Sequence, residues 1–351
     1  LIRTPHRGKS ININAAIARA QGQLFAIVDG DSEISQNALI EMKKGLEQEK
    51  VAGVSCPIFV KNRTTHIIPW LHIEILHGTL MRLIMSKVGA NICTSGQFCM
   101  FRTEALREIG GFNTQTLSED MDISIRLIRK GYKVGFVEGA RSWTNMPHSL
   151  KWLIGQRFRW CRGNLNVMLS HQKLNSSWID LYTLPLIFFG FFQAVIMGSI
   201  SLTKMTTGYW QYFASHGEYL SMPAAKFLLD WISVAGLINW SFKFAIGEIP
   251  FTPVTMCGVM AGLLTYPLYI YAIWRFERRF DLYHVVPLCF MAPYWWTISL
   301  VQIASAGVFF RPNQRNIWAK NDRSLSVAKS TLAAREELEK SMAPGERQLV
   351  S

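Results

Sequence analysis

The sequence predicts an α/β domain followed by an α-helical transmembrane region, and three observations predict it. Strand and helix signals alternate through roughly the first 145 of 351 residues, the pattern of a layered α/β domain. From about residue 180 the chain becomes a series of nearly uncharged runs, several of them long enough to cross a bilayer. Apolar residues make up 49% of the chain, the mean hydropathy is +0.13, and there are 12 Trp and 21 Phe, a composition that suits a membrane protein with interfacial aromatics. The expected boundaries are 1–148 for the α/β domain, 149–178 for an interfacial helix, 179–310 for three or four transmembrane helices, and 311–351 for a cytoplasmic tail.

Each element has its own warrant. Ile13, Ala16, Ile17 and Ala20 recur at helical spacing, so 11–22 reads as a helix with Ser10 as its cap. Leu24–Val28 is a short continuous apolar run, the signature of a buried parallel strand. It ends at Asp29-Gly30-Asp31, and the carboxyl ends of strands are where open α/β sheets bind ligands. Residues 36–49 read as a helix, 51–60 as a strand, and 66–88 as an apolar helix carrying Trp70 and His72. Residues 92–102 read as a strand rich in small residues around Ser95-Gly96, and Glu104 to Ile109 as a short helix closed by Gly110-Gly111. Ser118-Glu119-Asp120 opens a helix over 119–130, Tyr132–Val137 is a strand, and 149–169 is a basic, aromatic helix.

Leu181–Leu202 and Phe251–Trp274 are the clearest spans. Phe227–Ile246 carries Asp230 and Lys243, and His284–Phe310 carries Pro287 and Pro293, which favour a kink. The positive-inside rule puts the α/β domain, Arg275–Arg279 and the basic tail on one side. That requires two crossings within 284–310, which is too short for them. Either one basic segment faces outward or one apolar segment is only interfacial.

Charge and cysteines narrow the function classes. Lys and Arg number 37 against 24 Asp and Glu, a formal net charge of +13. Such an excess suits an anionic leaflet or phosphorylated substrates. No zinc-finger spacing, RRM-type signature or long basic run supports nucleic acid as a partner. None of the six cysteines forms a CxxC pair, so reduced, buried thiols are expected rather than a disulfide framework. Residues 1–9 are polar and basic, without the apolar core of a signal peptide or an initiator Met, and the chain reads as starting inside a domain.

Three motifs carry chemistry, each against a bland alternative. Asp29-Gly30-Asp31 offers carboxylates to Mg²⁺ or Mn²⁺ bound against a diphosphate; otherwise Asp31 or Ser32 merely caps the next helix. Ser118-Glu119-Asp120 offers Asp120, with Glu119 beside it, as a general base; otherwise it is an acidic helix start favoured by the helix dipole. Gln156-Arg157-Phe158-Arg159-Trp160 offers an amide, two guanidinium groups and a large ring; otherwise it is a basic helix on a membrane surface. Together they are the parts needed to move a sugar from a nucleoside diphosphate onto a hydroxyl.

In this order the motifs resemble the processive, membrane-embedded inverting glycosyltransferases of family 2, the synthases of poly-β-1,6-N-acetylglucosamine, chitin oligomers, hyaluronan and cellulose. Arg7-Gly8-Lys9 with Asn14 resembles the family's segment beside the nucleotide. Thr94–Arg102, running on to Phe112, resembles its acceptor motif, and Pro293-Tyr294-Trp295 with Trp318, Lys320 and Arg323 resembles its last span and tail. The resemblance implies a GT-A fold binding a UDP-sugar. By it, Asp31 and Asp29 would be the metal ligands, with Asp29 near the nucleotide and Lys9 beside it. Asp120 would be the base with Glu119 next to it, and Gln156, Arg157 and Arg159 would bind the diphosphate. Ser95, Gly96 and Trp160 would bind the acceptor. It further implies a multi-pass protein of the plasma (inner) membrane with its catalytic domain in the cytoplasm. A growing polysaccharide or lipid acceptor and a small accessory membrane subunit would be its partners. Family members also carry an N-terminal strand and an Asp pair ahead of the Asp-x-Asp, so the sequence is expected to be incomplete at its N-terminus. The donor is expected to be UDP-N-acetylglucosamine. The alternatives are UDP-glucose in a cellulose-type synthase, single transfer to a lipid or lipid carrier, and an inactive scaffold subunit.

Overall fold

A computed structural model describes residues 8–63, 66–171, 181 and 184–307. Arg7, most of the segment joining the interfacial helix to the first span, and the tail with Trp318, Lys320 and Arg323 lie outside the described residues.

The α/β part runs α1 (Lys9–Arg19), β1 (Leu24–Val28), β2 (Glu33–Ile34), α2 (Ala38–Leu46), β3 (Val51–Ser55), β4 (Ile58–Val60) and α3 (Ile68–Lys87). It continues with β5 (Phe98–Arg102), α4 (Thr103–Glu108), α5 (Glu119–Arg129), β6 (Lys133–Phe136), β7 (Ser142–Thr144) and α6 (Leu150–Ser170). One sheet has the order β1-β5-β3-β6 and a smaller one β2-β7-β4. The β3–β6 and β4–β7 pairs are parallel, and the remaining pairs are antiparallel. Ile17, Ile27, Phe101, Leu106, Ile123 and Leu127 fill one face of the larger sheet, and Met42, Leu46, Val54 and Phe98 fill the other.

Four local expectations are corrected. β1 is not a buried parallel strand: it pairs antiparallel with β5 at the sheet edge, Leu24 opposite Arg102 and Val28 opposite Phe98, and Val28 is exposed. A continuous apolar run does not reveal which strand it pairs with. The expected strand 51–60 breaks at Cys56-Pro57, where proline has no N–H for the ladder, and β4 crosses into the second sheet. The strand expected over 92–102 begins only at Phe98; Thr94 instead accepts no place in the sheet and donates its N–H to Ser124 Oγ of α5 at 3.1 Å. Ser10 lies inside α1, which starts after Gly8, whose φ of 105° suits only glycine.

The helical part comprises α7 (Leu184–Tyr212), α8 (Met222–Ile232), α9 (Val234–Ala245), α10 (Pro253–Phe276), α11 (Leu282–Cys289) and α12 (Met291–Ala306). Among the described residues, Ile187–His216 and Pro253–Phe276 are long and apolar enough to cross a membrane. A third crossing exists if α11 and α12, bent by 62°, count as one broken span. The bend falls at Phe290, between the two expected prolines. The segment 227–246 is not one continuous helix: the backbone turns extended at Ser233, whose side chain caps α9 by accepting from Gly236 N–H. Among the described residues this gives two or three candidate spans, so of the expected three or four only the lower number is matched.

The two parts share one apolar core. Leu71, Ile75, Leu76 and Leu80 of α3 pack with Tyr269, Ile273 and Phe276 of α10 and with Leu288, Met291 and Tyr294 beyond it. Trp70 Nε1 donates to Phe290 O at the bend, 2.8 Å away.

A buried polar clamp joins α5 to the end of α6. Asp122 Oδ1 meets His171 Nε2 at 2.9 Å and Oδ2 accepts from Arg126 Nε at 2.7 Å. Arg126 also donates to Ile109 O and Gly111 O. Burial disfavours the Asp122 carboxylate, but His171 and Arg126 outweigh it and hold its pKa below the ordinary value. Asp122→Asn is expected to cost about 1–3 kcal/mol at neutral pH, because it removes the buried carboxylate that accepts from Arg126 and meets His171. The native pKa is the lower one, so this contribution is present above the ordinary carboxylate range and fades as pH falls through the depressed native value. Chemical denaturation of both proteins against pH checks it: the gap should close at acid pH.

Candidate active site

The site forms where the end of β1, the loop before β5, the first turn of α5 and the middle of α6 meet. Lys9 ties three of these together. Its Nζ lies 2.7 Å from Asp29 Oδ1 and 3.5 Å from Glu119 Oε1, and it donates to Gly96 O at 3.0 Å. Burial works against the ammonium, yet Asp29 and Glu119 hold its pKa above the ordinary lysine value. A Cβ at Gly96 would stand 3.3 Å from Lys9 Nζ and 3.8 Å from Asp120 Oδ2, so glycine permits these groups to approach.

Asp29 sits at the strand end, its N–H donating to Gln97 O at 2.9 Å. Neither Asp31 nor Ser32 caps α2; Asn37 occupies the cap position. Asp31 is exposed and, among the described residues, carries no hydrogen bond or ion pair. Its hard carboxylate oxygens fit Mg²⁺ or Mn²⁺. Asp29 can contribute only in part, since Oδ1 is already held by Lys9.

Ser118 does not cap α5 with its side chain; Oγ donates to Asn164 Oδ1 of α6 at 3.0 Å. Asp120 Oδ1 accepts the N–H of Met121 at 2.9 Å, and Oδ2 faces Cys93 Sγ at 3.6 Å. Burial, and then Asp120, push the Glu119 carboxyl above its ordinary range, while Lys9 and Arg159 pull it back.

The five residues of the α6 motif separate by geometry. Successive helical residues turn by about 100°, so Arg157 and Arg159 point about 200° apart. Burial lowers Arg159, and Glu119, Asp120 and Asp29 each favour its charge, which places it toward the carboxylates. Arg157 does not share that direction. It is 6% exposed, donates to Glu74 Oε2 of α3 at 2.5 Å, and lies 3.5 Å from Tyr294 Oη of α12. Its guanidinium covers the Trp160 ring at 4.4 Å. The expected diphosphate contact from Arg157 is therefore corrected: this cation is engaged in joining α6 to α3 and α12. Gln156 Oε1 and Ser95 Oγ are buried and, among the described residues, have no hydrogen-bond partner, as groups awaiting a ligand would be.

Sequence reasoning missed Arg82. It projects from α3 toward Asp120 and Cys93; burial lowers its pKa, and the neighbouring Cys93, Asp120 and Cys56 oppose this. Only a positive charge inside an otherwise apolar helix hinted at it. Elsewhere, a cleft of about 340 Å³ lies beside Trp70, Leu153, Phe290 and Pro293. Its apolar lining offers nothing to a nucleotide diphosphate.

Comparison with known proteins places the chain. The model of the family described as glycosyl transferase family group 2 matches residues 24–310, and the chain belongs to that family. Its mixed sheet with apolar helices behind it is the GT-A-type arrangement expected from the sequence. The probable glycosyltransferase YdaM of Bacillus subtilis (strain 168) is 28% identical over 206 residues, 55% of this chain and 48% of YdaM. The poly-β-1,6-N-acetyl-D-glucosamine synthase of Staphylococcus aureus (strain COL) is 27% identical over 167 residues, 47% of this chain and 40% of the synthase. The chain thus spans about half the length, or less, of these relatives. Among solved structures, the mannosyltransferase PcManGT from Pyrobaculum calidifontis, in complex with GDP-Man and Mn²⁺, covers 89% of this chain and 69% of its own. It has 16% sequence identity and a TM-score of 0.49.

Gly163 sets how closely α6 approaches the first turn of α5. A Cβ there would fall 2.3 Å from Ser118 Oγ and 3.1 Å from Ser118 N, whereas one at Gly155 would meet nothing within 4 Å. Gly163→Ala is expected to cost about 1–3 kcal/mol by overpacking and to lower transferase turnover by moving Arg159 off the carboxylates. Gly155→Ala should behave as wild type in thermal unfolding and turnover.

Proposed function

We propose that this chain forms the catalytic and membrane-embedded part of an inverting glycosyltransferase that polymerises a β-linked polysaccharide from UDP-N-acetylglucosamine and exports it. The observation that carries this reading is the gathering of Lys9, Asp29, Glu119, Asp120 and Arg159 around Gly96, with Asp31 exposed at the same strand end. The likeness to the staphylococcal synthase supports the choice of sugar.

In this reading Asp31, aided by Asp29, would hold the metal. A bound Mg²⁺ or Mn²⁺ supplies charge neutralisation to the diphosphate, which makes UDP a better leaving group. Lys9 and Arg159 place two more positive charges where the leaving diphosphate gains charge. Asp120 takes the proton of the acceptor hydroxyl as its oxygen attacks C1 and the bond from C1 to UDP breaks on the opposite face. Glu119, desolvated beside it, stays in contact with Lys9 and sets the charge of the pocket. Gln156, Ser95 and Gly96 line the acceptor end, and Trp160, its ring held by Arg157, offers a stacking surface for the acceptor sugar. The α/β part lies on the cytoplasmic side of the plasma membrane, and a small accessory membrane subunit is a fitting partner for the exposed helices.

The test uses the native-length protein in nanodiscs, with UDP release and product length followed for UDP-N-acetylglucosamine, UDP-glucose and UDP-glucuronate. A polymer from the first donor alone is expected. Single transfer to lipid, or a polymer from another donor, would overturn the corresponding part. Asp120→Asn should cut turnover by about 10²–10⁴-fold with donor binding retained; full turnover would remove Asp120 from the base role.

The two arginines of α6 should respond differently. Arg159→Gln is expected to weaken donor binding with little change in thermal unfolding. Arg157→Gln is expected to lower the unfolding midpoint, since it leaves the largely buried Glu74 carboxylate with Tyr294 but without its cation. Calorimetry and donor titration on both variants separate these outcomes.

A further inference from the structure

A second cluster of chemistry lies away from the carboxylates, where α3, the end of α10 and α11 meet. His72, Glu277 and His284 each bring one ligand-type atom within 4.8 Å of the other two. On α3, His72 and Arg82 stand about 15 Å apart at the usual helical rise, so this cluster is remote from the Asp120 end. His72 is 0% exposed and His284 1%. Among the described residues, neither ring nitrogen of His72 nor Nε2 of His284 has a hydrogen-bond partner. His72 Nε2 does lie 3.0 Å from Glu277 Oε1, without hydrogen-bond alignment. Two buried imidazole nitrogens without partners, His72 Nδ1 and His284 Nε2, and a third that meets only Glu277, are costly unless something else satisfies them.

The surroundings indicate what that is. Asp281 Oδ1 lies 2.9 Å from His284 Nδ1. A carboxylate at that distance favours the tautomer with hydrogen on Nδ1; the N–H of Asp281, 3.5 Å from the same nitrogen, is too far to compete. The Nε2 lone pair then faces the cluster. A carboxylate behind a histidine is the usual arrangement around a metal-binding imidazole. Arg63 bonds both oxygens of Glu277, with Nη1 3.3 Å from Oε2. It can keep Oε2 while Oε1 turns to an ion.

We propose that His72, Glu277 and His284 form a three-ligand zinc site that ties α3 to the turn between α10 and α11. Two imidazoles and one carboxylate are a zinc ligand set, whereas Mg²⁺ and Ca²⁺ select oxygen ligands. The site is independent of the sugar-transfer reading, since none of its ligands belongs to that pocket. Its effect would be to hold the apolar face of α3 against the membrane helices when the helical part moves.

The test is zinc content and affinity of the full-length protein in detergent, by elemental analysis after dialysis and by competition with a chromophoric chelator. One bound equivalent is expected, with a tetrahedral cobalt spectrum on substitution. The equivalent should be lost in the His72→Gln/His284→Gln variant and retained in Asp31→Ala. Asp281→Asn keeps all three ligands and should weaken zinc by about 10-fold or more, which also covers the case of a double variant that fails to fold. No bound equivalent in the wild type, or one that survives the double variant, would overturn the proposal. So would loss in Asp31→Ala together with unchanged affinity in Asp281→Asn.

Discussion

The arrangement depends on keeping three carboxylates in one place. Asp29, Glu119 and Asp120 meet between a strand end and a helix start, and like charges drawn partly out of water repel strongly. Lys9 answers this from the first turn of α1, and Arg159 from the middle of α6. Each cation comes from an element far away in sequence. The pocket therefore exists only when α1, β1, α5 and α6 are all seated. The dipole at the start of α5 attracts negative charge, but it acts only over the first turn and could not offset the whole set.

That constraint explains why so much of the surrounding structure concerns the seating of α6. Gly163 lets it lie against Ser118, Ser118 bonds Asn164, and Asp122 with His171 fixes its far end. Arg157 anchors the opposite face to Glu74 and Tyr294. Tyr294 belongs to α12 and Glu74 to α3, so this one guanidinium connects the pocket helix to both the α/β part and the membrane helices. Within one five-residue motif, then, one arginine faces the carboxylates and the other joins the helices.

Sequence made the element types legible wherever a local rule decided them. Helical spacing of Ile13 and Ile17, and the acidic start at Ser118-Glu119-Asp120, correspond to helices within a few residues of their expected bounds. It failed where the deciding partner was distant. Leu24–Val28 reads as buried because it is apolar, yet its placement follows from pairing with β5 some 70 residues on, at the edge of the sheet. The Pro57 break and the extended turn at Ser233 are local, but a continuous apolar pattern hid both. In the candidate site, the motif pointed to α6 without distinguishing the direction of Arg157 from that of Arg159. Their opposed directions follow from helical geometry alone, but which side holds the carboxylates does not. Arg82 was hidden for the same reason, since nothing near it in sequence shows that α3 ends beside Asp120.

The junction between the two parts bears on function as well as stability. α3 contacts the pocket region through Arg82, the pocket helix through Glu74, and the membrane helices through Trp70 and its apolar face. Arg63 with Glu277 and Arg275 with Glu138 add ionic links across the same boundary. Exposed pairs of this kind contribute little by themselves, so the joint relies on the buried apolar contact and on the Glu74–Arg157–Tyr294 triad. Any displacement of α12, such as a change in the bend at Phe290, acts directly on Tyr294. Through Arg157 it acts on α6, and so on the position of Arg159 relative to Glu119 and Asp120.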